Sequence, residues 1–147
     1  MNEEETREIV HQAVLTFFER DVALLQSGIR EEALAHRLAI IMEPLLDGWH
    51  VDAEYNKRHR EGRPEDKTYR DRRGKTRTAI PDIIVHHRQT GENLLVIELK
   101  RTANRQKRDD DYDKLRALKL DPYNYRHAAF LEIGMRNGEP VYRIDFV

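Results

Sequence analysis

Cysteine is absent from this 147-residue chain, which excludes disulfide bonds and thiolate metal sites and is typical of a reducing compartment. No apolar run approaches the ~20 residues that a helix needs to cross a membrane. The first ten residues, "MNEEETREIV", lack the basic-then-apolar order of a signal peptide. We therefore expect a soluble, cytoplasmic protein with no membrane partner. The length suits a single domain, residues 1–147.

Charge of either sign is abundant, at 36% of the residues, but it nearly cancels to a net charge of −1. Local charge must therefore decide whether a polyanion is a partner. From Lys57 to Arg77 there are ten Lys/Arg against four Asp/Glu, and from Lys100 to Arg108 there are five Lys/Arg and no acid. A polarised surface of this kind attracts a polyanion more strongly than the net charge suggests.

Hydrophobic periodicity predicts an α/β domain with a mixed sheet flanked by helices. The predicted helices span 3–26, 30–46 and 109–120. The predicted strands span 49–55, 78–87, 93–100, 127–134 and 140–147. Residues 1–28 form an extra N-terminal helical segment, and the apolar-poor residues 56–77 form a basic loop. The helix at 109–120 would connect its two flanking strands in parallel, and Pro140 marks the last strand as an edge.

The two apolar runs of "AIPDIIVHHRQTGENLLVIELKR" (79–101) carry charges where buried strands should not. Glu98 and Lys100 are two residues apart, so they point to one face of their strand. If the hairpin turn centres near residue 90 or 91, paired residues have numbers summing to about 180–182. Asp82 then lies opposite Glu98 or Lys100, and all three side chains share one face.

Two carboxylates at such close range repel each other unless a cation lies between them. Lys100 could be that cation, but hard oxygen ligands suit Mg²⁺ or Mn²⁺ better. Taken alone, "ELK" or an Asp at a strand start is usually structural. The matching register and the flanking basic stretches together favour a site.

"PD" at 81–82 and "ELK" at 98–100 resemble the motif of the PD-(D/E)XK nuclease superfamily. The resemblance covers about residues 30–135 and implies a restriction-endonuclease-like core, preceded here by the extra N-terminal helix. "VDAEYNK" and "DYDKL" also resemble segments of uncharacterised superfamily members, which are mostly small bacterial and phage proteins.

The resemblance implies roles for individual residues. Lys100, Asp82 and Glu98 would be catalytic. The metal ligands would be Asp82, Glu98, the Leu99 carbonyl and Glu31, the last directly or through water, with Glu32 as its alternative. Gln106 or Lys114 could support the site.

A basic rim beside a metal site is what a phosphodiester substrate requires. The predicted nucleic-acid contacts are Lys57, Arg58, Arg70, Arg72, Arg73, Lys75, Arg101 and Arg105. Tyr55 and Tyr69 could stack on bases.

We therefore expect an Mg²⁺- or Mn²⁺-dependent nuclease that hydrolyses phosphodiester bonds, with DNA as the favoured substrate. One alternative is a non-catalytic nucleic-acid-binding or assembly module of the same fold. Another is a protein-interaction domain that forms a homodimer through an apolar stripe on the first helix. That stripe consists of Phe17, Phe18, Val22 and Leu25.

Overall fold

The computed structural model describes residues 1–54, 57–60 and 63–147, and of 57–60 and 63–66 only the backbone. Three α-helices lie in these ranges: α1 (Glu3–Gln26), α2 (Glu31–Met42) and α3 (Asp109–Leu118). A 3₁₀ turn, Glu43–Leu45, extends α2. The helices at 3–26, 30–46 and 109–120 were thus predicted to within a few residues. The α/β class is confirmed.

Nine strands lie in the described residues, and five of them form one mixed sheet. In spatial order these five are β1 (His50–Ala53), β6 (Ile83–His86), β7 (Asn93–Arg101), β8 (His127–Arg136) and β9 (Glu139–Phe146). β7 and β8 are parallel, as expected for two strands joined through a helix, and the other pairs are antiparallel. β9 is an edge strand, as Pro140 predicted.

Residues 56–77 differ from the predicted basic loop. Their described part contains two antiparallel hairpins, which pair β2 (Lys57–Arg60) with β3 (Arg63–Asp66) and β4 (Thr68–Arg70) with β5 (Thr76–Thr78). The predicted strand at 78–87 therefore divides: β5 ends at Thr78, and β6 begins only at Ile83. Backbone pairing between nearby segments forms these hairpins without the apolar pattern on which the prediction relied.

The two faces of the sheet pack against different helices. α1 and α2 cover one face, where Leu34 and Leu38 lie in the same buried cluster as Ile97 and Leu99. α3 covers the other face, where Leu115 and Leu118 pack with four apolar residues of the sheet. These four are Ile84, Val96, Ala128 and Phe130.

α1 belongs to the core and is not an appended extension. Val10, Ala13, Val14 and Phe17 are each at most 1% exposed, and Phe18 makes an edge-on contact with Tyr142 of β9. Phe17, Phe18 and Leu25 of the apolar stripe considered above as a dimer contact therefore pack in the core of their own chain. No helix of the described ranges is long and apolar enough to cross a membrane.

Candidate functional site

The β6–β7 hairpin brings Asp82 and Glu98 together on the face that α3 covers. Ile83 pairs with Ile97 and Ile84 with Val96, so the residue numbers sum to 180, as predicted. Asp82 immediately precedes β6, and the same register places it opposite Glu98. Lys100 follows two residues later on the same face.

Asp82 is held by two backbone contacts. Its Oδ2 accepts a hydrogen bond from the Leu99 amide at 2.7 Å, and its own carbonyl accepts one from the Glu54 amide at 2.9 Å. Burial nevertheless raises the pKa of the Asp82 carboxyl, although the Leu99 hydrogen bond and the positive charge of Lys114 oppose that shift. A charged Asp82 is therefore held at a cost in free energy.

Glu98 is more deeply placed, and its residue is only 3% exposed. Burial first, and then the negative charge of Asp82, raise the pKa of Glu98 well above its ordinary value. Lys114 of α3 opposes this shift, with its Nζ 2.9 Å from Glu98 Oε1. That oxygen is still buried without a hydrogen bond of good geometry. The approach of Lys114 is therefore an ion-pair contact only.

Lys100 does not supply the cation at the two carboxylates. Its Nζ lies 3.4 Å from Oδ2 of Asp111 on α3, and both side chains are largely buried, at 15% and 12% exposed. Asp111 Oδ2 accepts no hydrogen bond of good geometry. Lys114, and not Lys100, is the ammonium in contact with Glu98.

α3 thus adds two charged groups to the three that the strands carry. Asp111 was not predicted, and Lys114 was considered only as a possible supporting residue. A sequence signal for Asp111 exists: it lies four and seven residues before the buried Leu115 and Leu118, so it shares their helix face. A carboxylate on the buried face of a helix calls for a partner, and here that partner is Lys100.

Glu31 lies near the site but is bound elsewhere. Its Oε2 accepts from the Arg101 amide at 2.8 Å, and its Oε1 accepts from Asn104 Nδ2 at 2.9 Å. It therefore anchors the end of β7 and the turn that follows. Glu32, the alternative, is exposed. Within the described ranges, no group of three or more His, Asp or Glu side chains is arranged to hold a metal ion.

The predicted basic contacts divide into three sets. Arg70, Arg72, Arg73, Lys75 and Arg105 are exposed, and Arg101 is half-buried. Arg72 Nε is already 2.6 Å from Asp113 Oδ2 on α3. The side chains of Lys57 and Arg58, like the whole of Tyr55, lie outside the described residues.

A cleft of about 300 Å³ opens between the β4–β5 hairpin and the start of α3. Its lining consists of acidic and basic side chains, namely Asp71, Arg72, Arg73, Arg77, Lys107, Asp109 and Asp110. Tyr69 is half-buried against the apolar cluster beneath α3. Gln106, the other possible supporting residue, is exposed.

A second charged group lies on the same sheet face, on the neighbouring strand β1. Asp52 of β1 pairs with Ile84, so it shares the α3 side of the sheet. Its Oδ2 is 2.7 Å from His86 Nε2, and its two oxygens accept from Arg88 at 2.6 and 2.9 Å. The hydrogen bond from Arg88 is the main cause that lowers the pKa of Asp52.

Lys67 extends this second group. It is 1% exposed and donates from Nζ to the Tyr125 hydroxyl at 2.7 Å. Burial lowers the pKa of Lys67 to about 8, although the negative charge of Asp52 opposes that shift. Sequence analysis predicted no role for any of these residues, because their contacts cross between β1, β6 and the segments after β3 and α3.

Comparison of the chain with protein-family models, with curated proteins and with solved structures finds no match.

Proposed function

We propose that the protein is a metal-dependent nuclease and that Asp82, Glu98 and Lys100 form its active site. The observation that carries the proposal is the contact of two carboxylates whose pKa values are both raised by burial. Such a pair adds nothing to stability that an apolar pair would not supply better. Strongly perturbed acids with specific charge partners are typical of functional sites.

The donor set fits a hard divalent cation. Asp82 and Glu98 offer carboxylate oxygens, and Glu98 Oε1 is buried without a well-formed hydrogen bond. Mg²⁺ usually takes only one or two carboxylates and keeps several waters, so two acids are enough. Asp82, Glu98 and the Leu99 carbonyl would hold Mg²⁺ or Mn²⁺. The ion would supply a Lewis acid that stabilises charge developing on a phosphate.

Lys100 would act on the water or the phosphate. It points to the same face as Glu98, and its ammonium is kept at the site by Asp111 at 3.4 Å. An ammonium held in a partly buried position stabilises negative charge more strongly than one in bulk water. Lys100 would therefore orient the attacking water and stabilise the negative charge of the reacting phosphate.

The strand order and the connection through α3 are compatible with the restriction-endonuclease-like core that the motif implies. The exposed arginines and lysines of the β4–β5 hairpin, together with Arg105, would bind the phosphate backbone. These features support a nucleic-acid substrate, and we favour DNA.

The test is cleavage of a mixed-sequence DNA and of RNA in Mg²⁺ or Mn²⁺, with and without chelator. Lys100→Ala is expected to lower the cleavage rate by about 10²–10⁴-fold, because it removes a group that stabilises developing charge. Lys119→Ala is the matched control, since Lys119 is a half-buried lysine that donates to the Val147 carbonyl. It should cleave like the wild type.

The same assay separates the nuclease from a non-catalytic binding module. A binding module would retain salt-dependent DNA binding that neither chelator nor the Lys100→Ala change alters. Absence of cleavage of either nucleic acid in either metal, with no metal binding by calorimetry, would overturn the proposal.

A further inference from the structure

Lys114 contacts a carboxylate of the site but has no role in the reaction proposed above. It reaches Glu98 from α3, with Nζ 2.9 Å from Glu98 Oε1. Its side chain is 16% exposed, against 3% for Glu98. The lysine side chain is thus more accessible to solvent than the carboxylate that it contacts.

Glu98 has no better counter-ion among the described residues. Lys100 is in contact with Asp111, and Asp82 is a second negative charge. The surroundings of Glu98 therefore need one positive charge in the absence of metal, and Lys114 supplies it. Asp82 and Asp111 also contribute negative charge around Lys114, so the ammonium is attracted by the whole group.

Lys114 also has an alternative partner close by. The Ile80 carbonyl lies 3.5 Å from Nζ, and Ile80 itself is 47% exposed at the surface. An ammonium on a four-carbon stem can change rotamer and keep one of its partners. It can therefore leave Glu98 without becoming a buried, unpartnered charge.

We propose that Lys114 is a resident cation of the Asp82–Glu98 site, which competes with the divalent metal for Glu98 and thereby sets the affinity of the site for that metal. This inference rests on the proposed function. An ion bound by Glu98 must displace the ammonium or accept its repulsion, and either lowers the affinity for the metal. Lys114 would thus determine the affinity of the site for the metal without itself binding the metal.

The test measures Mn²⁺ binding by calorimetry to the full chain in the absence of nucleic acid. Lys114→Met keeps the length of the side chain and removes its charge. We expect it to bind Mn²⁺ at least about tenfold more tightly than the wild type, a change that corresponds to about 1.4 kcal/mol. Lys114→Arg keeps the charge and should stay near the wild-type affinity. Lys119→Met, which alters a lysine outside the site, should not change it.

The sign of the change is diagnostic, because a purely structural role for Lys114 would make Lys114→Met bind metal more weakly. Thermal melts with and without Mn²⁺ provide the second measurement: the metal should stabilise Lys114→Met by more than it stabilises the wild type. If Lys114→Met folds poorly without metal, Lys114→Gln, which also removes the charge, replaces it in the comparison with Lys114→Arg.

The outcomes separate the two proposals. If wild type and Lys114→Met bind Mn²⁺ equally, or the variant binds it more weakly, the competition is disproved and the nuclease proposal stands. If Lys114→Met alone binds Mn²⁺, the competition is stronger than expected and is supported. If neither binds Mn²⁺, the competition is overturned, and the cleavage assay then decides the nuclease proposal.

Discussion

Two charged groups occupy the same face of one sheet, and the pKa values of their carboxyl groups are shifted in opposite directions. In one group, Arg88 and His86 form hydrogen bonds with Asp52, and the pKa of Asp52 is lowered. In the other, burial raises the pKa values of Asp82 and Glu98, and the negative charge of Asp82 adds to the rise at Glu98. The two groups are close neighbours, because Asp52 pairs with Ile84, two residues along the chain from Asp82.

The difference separates a carboxylate that hydrogen bonds stabilise from the two carboxylates that we propose as metal ligands. Asp52 has a basic partner for each carboxylate oxygen, and these partners stabilise its charged form. Glu98 Oε1 and Asp111 Oδ2 are buried without hydrogen bonds of good geometry. Groups left in that condition cost stability, and the metal that we propose would relieve that cost at Glu98.

The largest expected contrast is in cleavage. Asp82→Asn should lose about 10²-fold or more in the rate of Mg²⁺-dependent cleavage, because the neutral amide removes one of the charges that would hold the metal. Asp52→Asn should keep wild-type cleavage, apart from any lost stability. The measurement is the single-turnover rate of both variants at a temperature where both are folded. Equal losses in the two variants would contradict the distinction between the Asp52 group and the Asp82–Glu98 pair.

Stability should show the reverse order. Asp52→Asn is expected to lower the free energy of unfolding by about 1–3 kcal/mol, because it weakens hydrogen bonds to charged partners around His86 and Arg88. Glu98→Gln should stay within about 1 kcal/mol of the wild type, because the loss of attraction to Lys114 is offset by relief of burial and repulsion. Urea unfolding in chelator measures both. A larger loss for Glu98→Gln would contradict the comparison.

The smallest expected effect is in the pH dependence of stability. Because the folded-state pKa values of Asp82 and Glu98 are raised, the native protein binds protons more readily than the unfolded chain. Their contribution to stability therefore falls as pH rises from the ordinary values, 3.8 and 4.5, through the raised ones. The stability of Glu98→Gln should decline less steeply than that of the wild type above pH 4.5 in chelator, by a fraction of the ~1.4 kcal/mol per pH unit that one full proton would give.

Asp52 acts in the opposite direction, and its lowered pKa gives the matching control. Its contribution to stability is present above its ordinary value of 3.8 and is lost as pH falls through the lower folded-state value. Asp52→Asn should therefore change the stability profile at the acid end only. A profile unchanged by Glu98→Gln above pH 4.5 would show that Glu98 is not a destabilised acid.

The hairpin that carries Asp82, Glu98 and Lys100 could be predicted because two rules converge on it. Period-2 alternation fixes which residues share a face, and a turn near residue 90 fixes the pairing to within one residue. A β-bulge between Val85 and His86, which was not predicted, sets the final register. The same rules predicted the β8–β9 hairpin, where Asn137 and Gly138 adopt positive φ angles of 52° and 79°. Local sequence determines each of these features.

The contacts of the charged groups could not be predicted in the same way. Whether Lys100 faces Glu98 or Asp111 depends on how α3 is rotated about its axis where it packs on the sheet. Lys114 reaches Glu98 for the same reason. Glu31 was expected in the site from the resemblance, but the backbone amide of Arg101 and the Asn104 side chain bind it instead.

The central claim is that Asp82 and Glu98 form a site for a divalent cation. A crystal soaked in Mn²⁺ and measured at an anomalous wavelength tests it most directly. The account predicts a peak between the Asp82 and Glu98 carboxylates, with Lys114 moved away from Glu98 Oε1. Saturating Mn²⁺ with no anomalous density there, and Lys114 still in contact with Glu98, would contradict it.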